Sequence, residues 1–422
     1  MSATRYIWPT SRGWIIGIGS LVWGLISIVN QTLFSYILAS FGLALTIISF
    51  IAAFLSLRGI RICRAPSDDA SVGQIVSIPL EITNEKHRHR QNMSIQEDLG
   101  CTPEKTTMTI IPSLKSGESI ILERKVPAVR RGEFQLQNLI LRGGDPAGLF
   151  YRERSFNLPN TLTIYPSYVY LQDLFLNHFE TIPAITGQPI SITGNSQDFF
   201  GVREYNNSDG MRHIHWRSSA RYGKLMVKDF EHNAISSVAI LLDAQDYFVS
   251  DDRMISNLEY LIQTAASITH YCSGMYCSLS LAAGGKNPVI IEPNIASMVQ
   301  AQIMYQLAIL KPGKVSLNSV INDLIPKLPQ NSVLFCLSMN DSKILRNTLE
   351  SCALSNMNVR WCCATKDQFT ISSDLSSKAK TKRHSETTSK GFLRIFQVTP
   401  EMSIEHALNI LYLDENNTAV QN

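Results

Sequence analysis

From Gly201 to Glu231 the chain reads "GVREYNNSDGMRHIHWRSSARYGKLMVKDFE", a run that holds six Lys/Arg, two His, one Trp and four acids. Three kinds of chemistry fit such residues. His213 and His215 are two apart, hence on one face if Met211 to Arg217 is extended, and Asp209 is near enough to be a third metal ligand. Arg212 and Arg217 flank the pair and set up a positive field that disfavours a cation. Nucleic acid is the second partner to weigh, because Arg and Lys interleaved with Tyr205, Trp216 and Tyr222 could hold phosphates and stack bases. Against it, Glu204, Asp209, Asp229 and Glu231 are woven through the same run, and the whole chain has a formal net charge of only +3, without the basic excess of a nucleic-acid binder.

The third chemistry is charge pairing. Arginine guanidinium groups are planar forks that suit carboxylates, so Arg203, Arg212 and Arg221 can pair with Glu204, Asp209 and Glu231, with Lys228 alongside and Trp216 packed over the network. "NNSDG" supplies a tight reversal, since Asn, Asp and Gly tolerate its backbone angles. Such a network would fasten two domains together and present part of itself to a partner. No nucleophile elbow, phosphate loop or H-E-x-x-H pattern occurs anywhere in the chain. The sequence therefore reads as a non-enzymatic interaction protein that does not bind nucleic acid. The competing class is a metal-dependent hydrolase.

The elements that must position this run begin at the membrane. Trp14 to Val29 and Leu33 to Leu57 contain no charged residue, and only "NQT" separates them. Each approaches the ~20 apolar residues that cross a bilayer, which predicts a transmembrane hairpin over residues 1–60. Arg5 and Arg12 precede it, Arg58, Arg61 and Arg64 follow it, and the connecting turn has no positive charge. The positive-inside rule then places both ends in the cytoplasm. Six of the eight cysteines, Cys272, Cys277, Cys336, Cys352, Cys362 and Cys363, lie in or beside apolar segments and read as unpaired thiols of a reducing compartment.

Residues 61–166 show short alternating runs such as "GQIVSIPLEITN", "ESIILERKVPA" and "EFQLQNLILRGG", the pattern of an antiparallel β-sandwich. "EKHRHRQNM" between two of them is expected as a solvated hairpin loop, with an anion or lipid-headgroup contact as the alternative. Residues 167–235 hold the signature run. From 236 to 422 strand-like runs ("SVAILLDA", "MYCSLSLAA", "SVLFCLS", "NVRWCCAT") alternate with helix-like ones. That alternation predicts a doubly wound α/β sheet, which binds ligands at the carboxyl ends of its strands. Lys366 to Lys390, rich in Ser, Thr and Lys, reads as a disordered surface loop.

The signature run resembles that of the bacterial family labelled domain of unknown function fifty-eight. The shared elements are Arg203, Glu204 and Tyr205; Asp209; Arg212, Ile214 and Trp216; Ser219, Ala220 and Arg221; and Val227, Lys228 and Glu231. Upstream "RRGEF" and "GDPAGLF" look like the same family's sandwich segment. The resemblance implies a membrane helix pair, a sandwich, the signature and a von Willebrand factor type A-like domain. It also implies company with MoxR-type AAA ATPases and other envelope proteins, hence an adaptor or assembly role at the bacterial inner membrane.

Metal-binding von Willebrand A domains carry D-x-S-x-S after their first strand, where an Asp and two hydroxyls hold a divalent ion. This chain has Asp243, Ala244, Gln245, Asp246 and Tyr247, so the Asp is present and both serines are missing. Asp341 is the candidate second acidic ligand at the same sheet edge. The alternative role for Asp243 is to cap the turn or helix that follows the strand. The hydrolase reading would use Asp243 or the pair His213/His215, with a divalent metal as its cofactor; the adaptor reading needs no cofactor.

Overall fold

The structure is a computed structural model and describes residues 5–30, 32–103, 106–172, 174, 199–205, 214–230, 237–250, 256–329, 331–369, 393 and 395–408. The chain divides into two compact units, Met1–Ser167 with Met304–Leu310, and Tyr168–Ile303 with Lys311–Asn422.

The first unit opens with β1 (Arg5–Pro9), α1 (Ser11–Asn30) and α2 (Leu33–Ser56). Both helices are long and apolar enough to cross a membrane, and large apolar side chains such as Trp14, Ile18, Leu25, Phe41 and Ile48 are exposed on them, as lipid contact requires. Small residues let the two helices approach. A Cβ added at Gly42 would come 2.7 Å from Ser20 Cβ, and one at Gly24 would meet Ala39 Cβ at 3.9 Å.

The strands that follow are β2 (Ile60–Arg64), β3 (Ala70–Ser71), β4 (Ile75–Asn84), β5 (Met93–Glu97), β6 (Thr107–Ile111), β7 (Ser119–Pro127), β8 (Gly132–Gly144) and β9 (Phe150–Tyr165). They form two sheets, β1-β9-β8-β5-β6 with β3 on β9, and β2-β4-β7. All pairs except β3 with β9 are antiparallel. Strand β4 shows why the alternation was legible: Val76, Ile78, Leu80 and Ile82 are all buried at every second position. Ile60, Leu80 and Ile82 of one sheet share a core with Met93, Ile95, Leu139 and Leu141 of the other.

Two arginines depart from the sequence expectation. Arg90, placed in a solvated loop, is buried instead. Its Nη1 donates to Leu55 O at 2.7 Å and its Nη2 to Arg58 O at 2.8 Å. The last carbonyls of a helix lack intrahelical donors, and Arg90 supplies donors here from 35 and 32 residues downstream. Lys86, His87, Arg88 and His89 of the same loop are exposed as expected. Arg64, counted in the basic flank of the hairpin, also has its side chain buried. It pairs with Glu97, which receives Arg124 as well.

The second unit comprises β10 (Phe199–Glu204), α3 (Trp216–Tyr222), β11 (Met226–Phe230), β12 (Ser237–Leu242), α4 (Asn257–Ser273), β13 (Ser278–Ala283), β14 (Val289–Ile295), α5 (Ala296–Ile309, as far as Ile303), α6 (Leu317–Leu324), β15 (Val333–Ser338), α7 (Lys343–Leu354), β16 (Asn358–Cys363), α8 (Lys366–Phe369) and β17 (Ile395–Gln397). Its main sheet has the order β14-β13-β12-β15-β16-β17. Every neighbouring pair is parallel except β13 with β14. Strands β12 and β15 are buried along their whole length, which accounts for their unbroken apolar runs. Helices α6 and α7 bury Leu317, Val320, Ile321, Leu345 and Leu349 against Leu241 and Leu334 of that sheet.

Strand β14 was not anticipated. Its "VIIEPNI" contains Pro293, which cannot donate to a ladder and is tolerated at a sheet edge; β14 is an edge strand. The loop expected from Lys366 begins as helix α8, where Phe369 is buried and meets Tyr260 edge-on at 5.7 Å. The remainder of that expected loop lies outside the described residues up to Leu393. All eight cysteines are free, and all but Cys63 are buried.

Candidate interaction site

Strands β10 and β11 form a two-stranded antiparallel sheet, with Arg203 opposite Val227 and Val202 opposite Lys228. Tyr205 N donates to Leu225 O and His215 N to Met226 O, each at 2.8 Å, and Ile214 bridges to Val227. Between the strands stands α3. His215 is its N-cap: the ring Nδ1 accepts from Ser218 N at 3.3 Å and lies 2.8 Å from Ser218 Oγ. Ser219 Oγ ties the helix back to β11, accepting from Met226 N at 2.8 Å and donating to His215 O at 3.1 Å. Gly223, at φ +66°, ends the helix in the left-handed conformation that favours glycine.

The stretch expected to stay extended as far as Arg217 turns helical at Trp216, where α3 begins. Trp216 itself is not buried. It is 69% exposed, and Arg217, Arg221 and Tyr222 are exposed with it. Asp209, Arg212, His213 and Glu231 lie outside the described residues, as do the side chains of Arg203, Glu204 and Lys228. Tyr205 is half-buried.

The second group of candidates stands at the carboxyl edge of the main sheet. Asp243 directly follows β12, the strand from which the order runs to β13 on one side and β15 on the other, so it occupies the switch point where such sheets open a crevice. It is buried. Its N donates to Leu337 O at 2.9 Å, and its Oδ1 accepts from Gln245 N at 3.3 Å. Burial raises its pKa to about 6, while backbone N–H groups of Gln245, Met339 and Ala244 pull the other way. These contacts match the turn-capping role.

Asp341 stands at the same edge. Burial is the main cause that pushes the Cys363 thiol up to about 12, and both Asp341 and Asp243 add to that shift. The Asp341 carboxylate, however, is engaged by Arg346, whose Nη2 is 2.5 Å from Oδ2. Among the described residues no three His, Cys, Asp or Glu side chains form a group that could hold a metal ion.

Sequence reasoning passed over Asn257, the first residue of α4. Fully buried, it donates through Nδ2 to Phe248 O at 2.9 Å and to Ala364 O at 3.0 Å, and Oδ1 accepts from Ser250 N at 3.0 Å. One amide thus joins the segments that follow β12 and β16. Ser338 is similar: its Oγ accepts from Trp361 Nε1 at 2.8 Å and donates to Asn340 O at 2.9 Å. An Asn before an apolar helix and a Ser at a strand end are too common to have flagged either one.

Residues 201–338, which include both the α3 hairpin and Asp243, match the family described as Protein of unknown function DUF58. The resemblance read from the signature therefore holds where the motif lies. A curated relative, the uncharacterized protein YeaD of Bacillus subtilis (strain 168), is 28% identical over 168 residues, which is 40% of this chain and 40% of that protein. The match thus spans well under half of the relative's length. Among solved structures, an aerotolerance-related membrane protein from Bacteroides fragilis NCTC 9343 is 10% identical, covering 43% of this chain and 99% of that one, at a TM-score of 0.27. A β-glucosidase from Listeria innocua is 7% identical, covering 26% of this chain and 16% of that one, at a TM-score of 0.18. Scores this low carry no inference about this chain.

Proposed function

We propose that this chain is a membrane-anchored, non-enzymatic adaptor or assembly factor that works alongside a MoxR-type AAA ATPase and other envelope proteins. In this reading it is a multi-pass protein of the bacterial inner membrane with its body in the cytoplasm. The observation that carries the proposal is the face of α3. Trp216 stands open to solvent on a helix whose start is fixed by His215 and Ser219, and Arg217 and Arg221 are exposed on the same short helix. Trp and Arg are the side chains most enriched at binding hot spots, and a fixed platform lowers the ordering cost of binding. Membrane anchoring is supported by α1 and α2, and the cytoplasmic placement by exposed Arg12, Arg58 and Arg61 at the hairpin's ends.

The resemblance to von Willebrand A-like domains belongs to the same proposal. A sheet whose order runs out both ways from its first strand, with Asp243 at that strand's end, supports it, and the two sheets with a shared core support a sandwich in the first unit. The test is crosslinking in native membranes. Wild-type protein should capture an AAA ATPase, and Trp216→Ala with Arg221→Ala should lose it while the body keeps its thermal transition. Capture unaffected by the double variant would remove α3 as the docking face, and no ATPase captured by wild type would remove the partnership.

A further inference from the structure

A cavity of about 460 Å³ opens beside the start of α1, and Thr10, Ser11, Asn92, Ser94, Arg142 and Tyr151 contribute to its lining. Its walls bring together two sources of positive potential. One is the first turn of a 20-residue helix that carries no acidic residue there. Helix N-termini attract anions through their N–H groups and the helix dipole. Thr10 holds that turn in place: its Oγ1 accepts from Gly13 N at 3.1 Å and donates to Gly148 O at 2.8 Å. The other is Arg142. Its guanidinium carbon lies 3.7 Å from the Tyr151 ring centroid, and its Nε is 3.3 Å from Glu153 Oε1. Stacking on one face and pairing on one edge pre-set the planar fork that best recognises an oxyanion.

The position of the cavity indicates the source of the anion. Pro9 and Phe150 form an apolar part of the lining, and Phe150 meets Phe50 of α2 edge-on at 5.7 Å. The cavity therefore lies where α1 begins and α2 approaches its end, at one boundary of the membrane-capable hairpin. Tyr6, Trp8 and Trp14 are exposed at this end, and Tyr and Trp concentrate at membrane–water boundaries. Further along α1, Ile15 and Ile18 are exposed, a path an acyl chain can follow. The loop bearing exposed Lys86 and Arg88 is tied to the end of α2 by Glu85 N, which donates to Gly59 O at 2.8 Å, so further positive charge stands at the same boundary.

We propose that this cavity binds the phosphodiester headgroup of an anionic membrane phospholipid, with Arg142 and the first turn of α1 on the phosphate and the acyl chains along α1. The inference rests on α1 and α2 spanning a membrane. It makes the junction between membrane and body sensitive to lipid composition.

Native mass spectrometry of the full chain in detergent, titrated with dioleoylphosphatidylglycerol, dioleoylphosphatidylcholine or acyl-free glycerol phosphate, tests it. The anionic lipid should bind about tenfold more tightly than the zwitterionic one, and glycerol phosphate far more weakly than either. Arg142→Gln should remove most of that preference, and Arg142→Lys should keep part of it. Because Arg142→Gln also releases Tyr151 and Glu153, Ser11→Glu is the second variant. A carboxylate at that exposed position favours the start of a helix yet repels a phosphate, so it should abolish the preference with the thermal transition intact. Equal binding of the two lipids, or a preference that survives Ser11→Glu, overturns the proposal. Tight binding of glycerol phosphate overturns it in favour of a free-phosphate site. Carbonate extraction separates the two levels: release of the protein from membranes sinks the membrane reading and the lipid site together, whereas retention without headgroup preference sinks the lipid site alone.

Discussion

Arg124 Nη2 stands 2.5 Å from Glu97 Oε2, with both side chains buried in the first unit. Arg64 takes the other carboxylate oxygen, so one anion is shared between two cations out of contact with water. Burial holds the Arg124 guanidinium below its ordinary pKa, Glu97 opposes that shift, and Arg64 adds to it. The arrangement is sensitive to the loss of its centre, because removing one partner of a buried pair leaves charge uncompensated.

Glu97→Ala is therefore expected to destabilise the first unit by about 3–5 kcal/mol. Chemical denaturation of the full chain in detergent measures this. Adding Arg64→Met and Arg124→Met to Glu97→Met should recover most of the loss, since apolar side chains of similar volume replace such clusters at little cost. A single variant that unfolds at the wild-type midpoint would show that water reaches the cluster.

Asp243 makes the second unit's stability depend on pH. Its pKa is about 6 when folded, against 3.8 as the ordinary value, so the folded state holds the proton more tightly than the unfolded one. Stability then falls as pH rises from about 4 through 6. At ~1.4 kcal/mol per pH unit, the ionised carboxylate costs about 3 kcal/mol at pH 7. Asp243→Asn keeps the acceptor for Gln245 N and removes the charge. The variant should melt at a higher temperature than wild type at pH 7, and the difference should shrink towards pH 4. A difference that does not vary with pH would assign the effect to packing.

Gly42 tests the hairpin. With Ser20 Cβ only 2.7 Å from where a Cβ would be, Gly42→Leu must push α1 and α2 apart, an overpacking of about 1–3 kcal/mol. Thermal melting in detergent should drop accordingly, whereas Gly19→Leu, where a Cβ meets nothing within 4 Å, should leave it unchanged. Equal effects at the two positions would mean that the helices do not pack through Ser20 and Gly42.

Local patterns determined much of this protein. Two uncharged apolar stretches of bilayer length specify α1 and α2, alternation at Val76, Ile78, Leu80 and Ile82 specifies an inward face for β4, and unbroken apolar runs specify β12 and β15. Each of these depends on the period of side chains along one element, and that period is written in adjacent residues. The signature motif from Gly201 to Glu231 likewise pointed to the family whose model matches residues 201–338.

Only the tertiary structure decided what the charged residues do. Arg90 looks like one more cation in "EKHRHR" until the chain folds back and sets it against Leu55 O and Arg58 O. Arg64, Glu97 and Arg124 are separated by tens of residues and come together when two sheets close on each other. His215 caps a helix, and Trp216 on that helix turns to solvent. A hydrogen bond or ion pair constrains positions that are close in space, and closeness in space between distant residues is a product of topology. The sequence carries the chemical types of these residues, and the fold alone determines which of them meet.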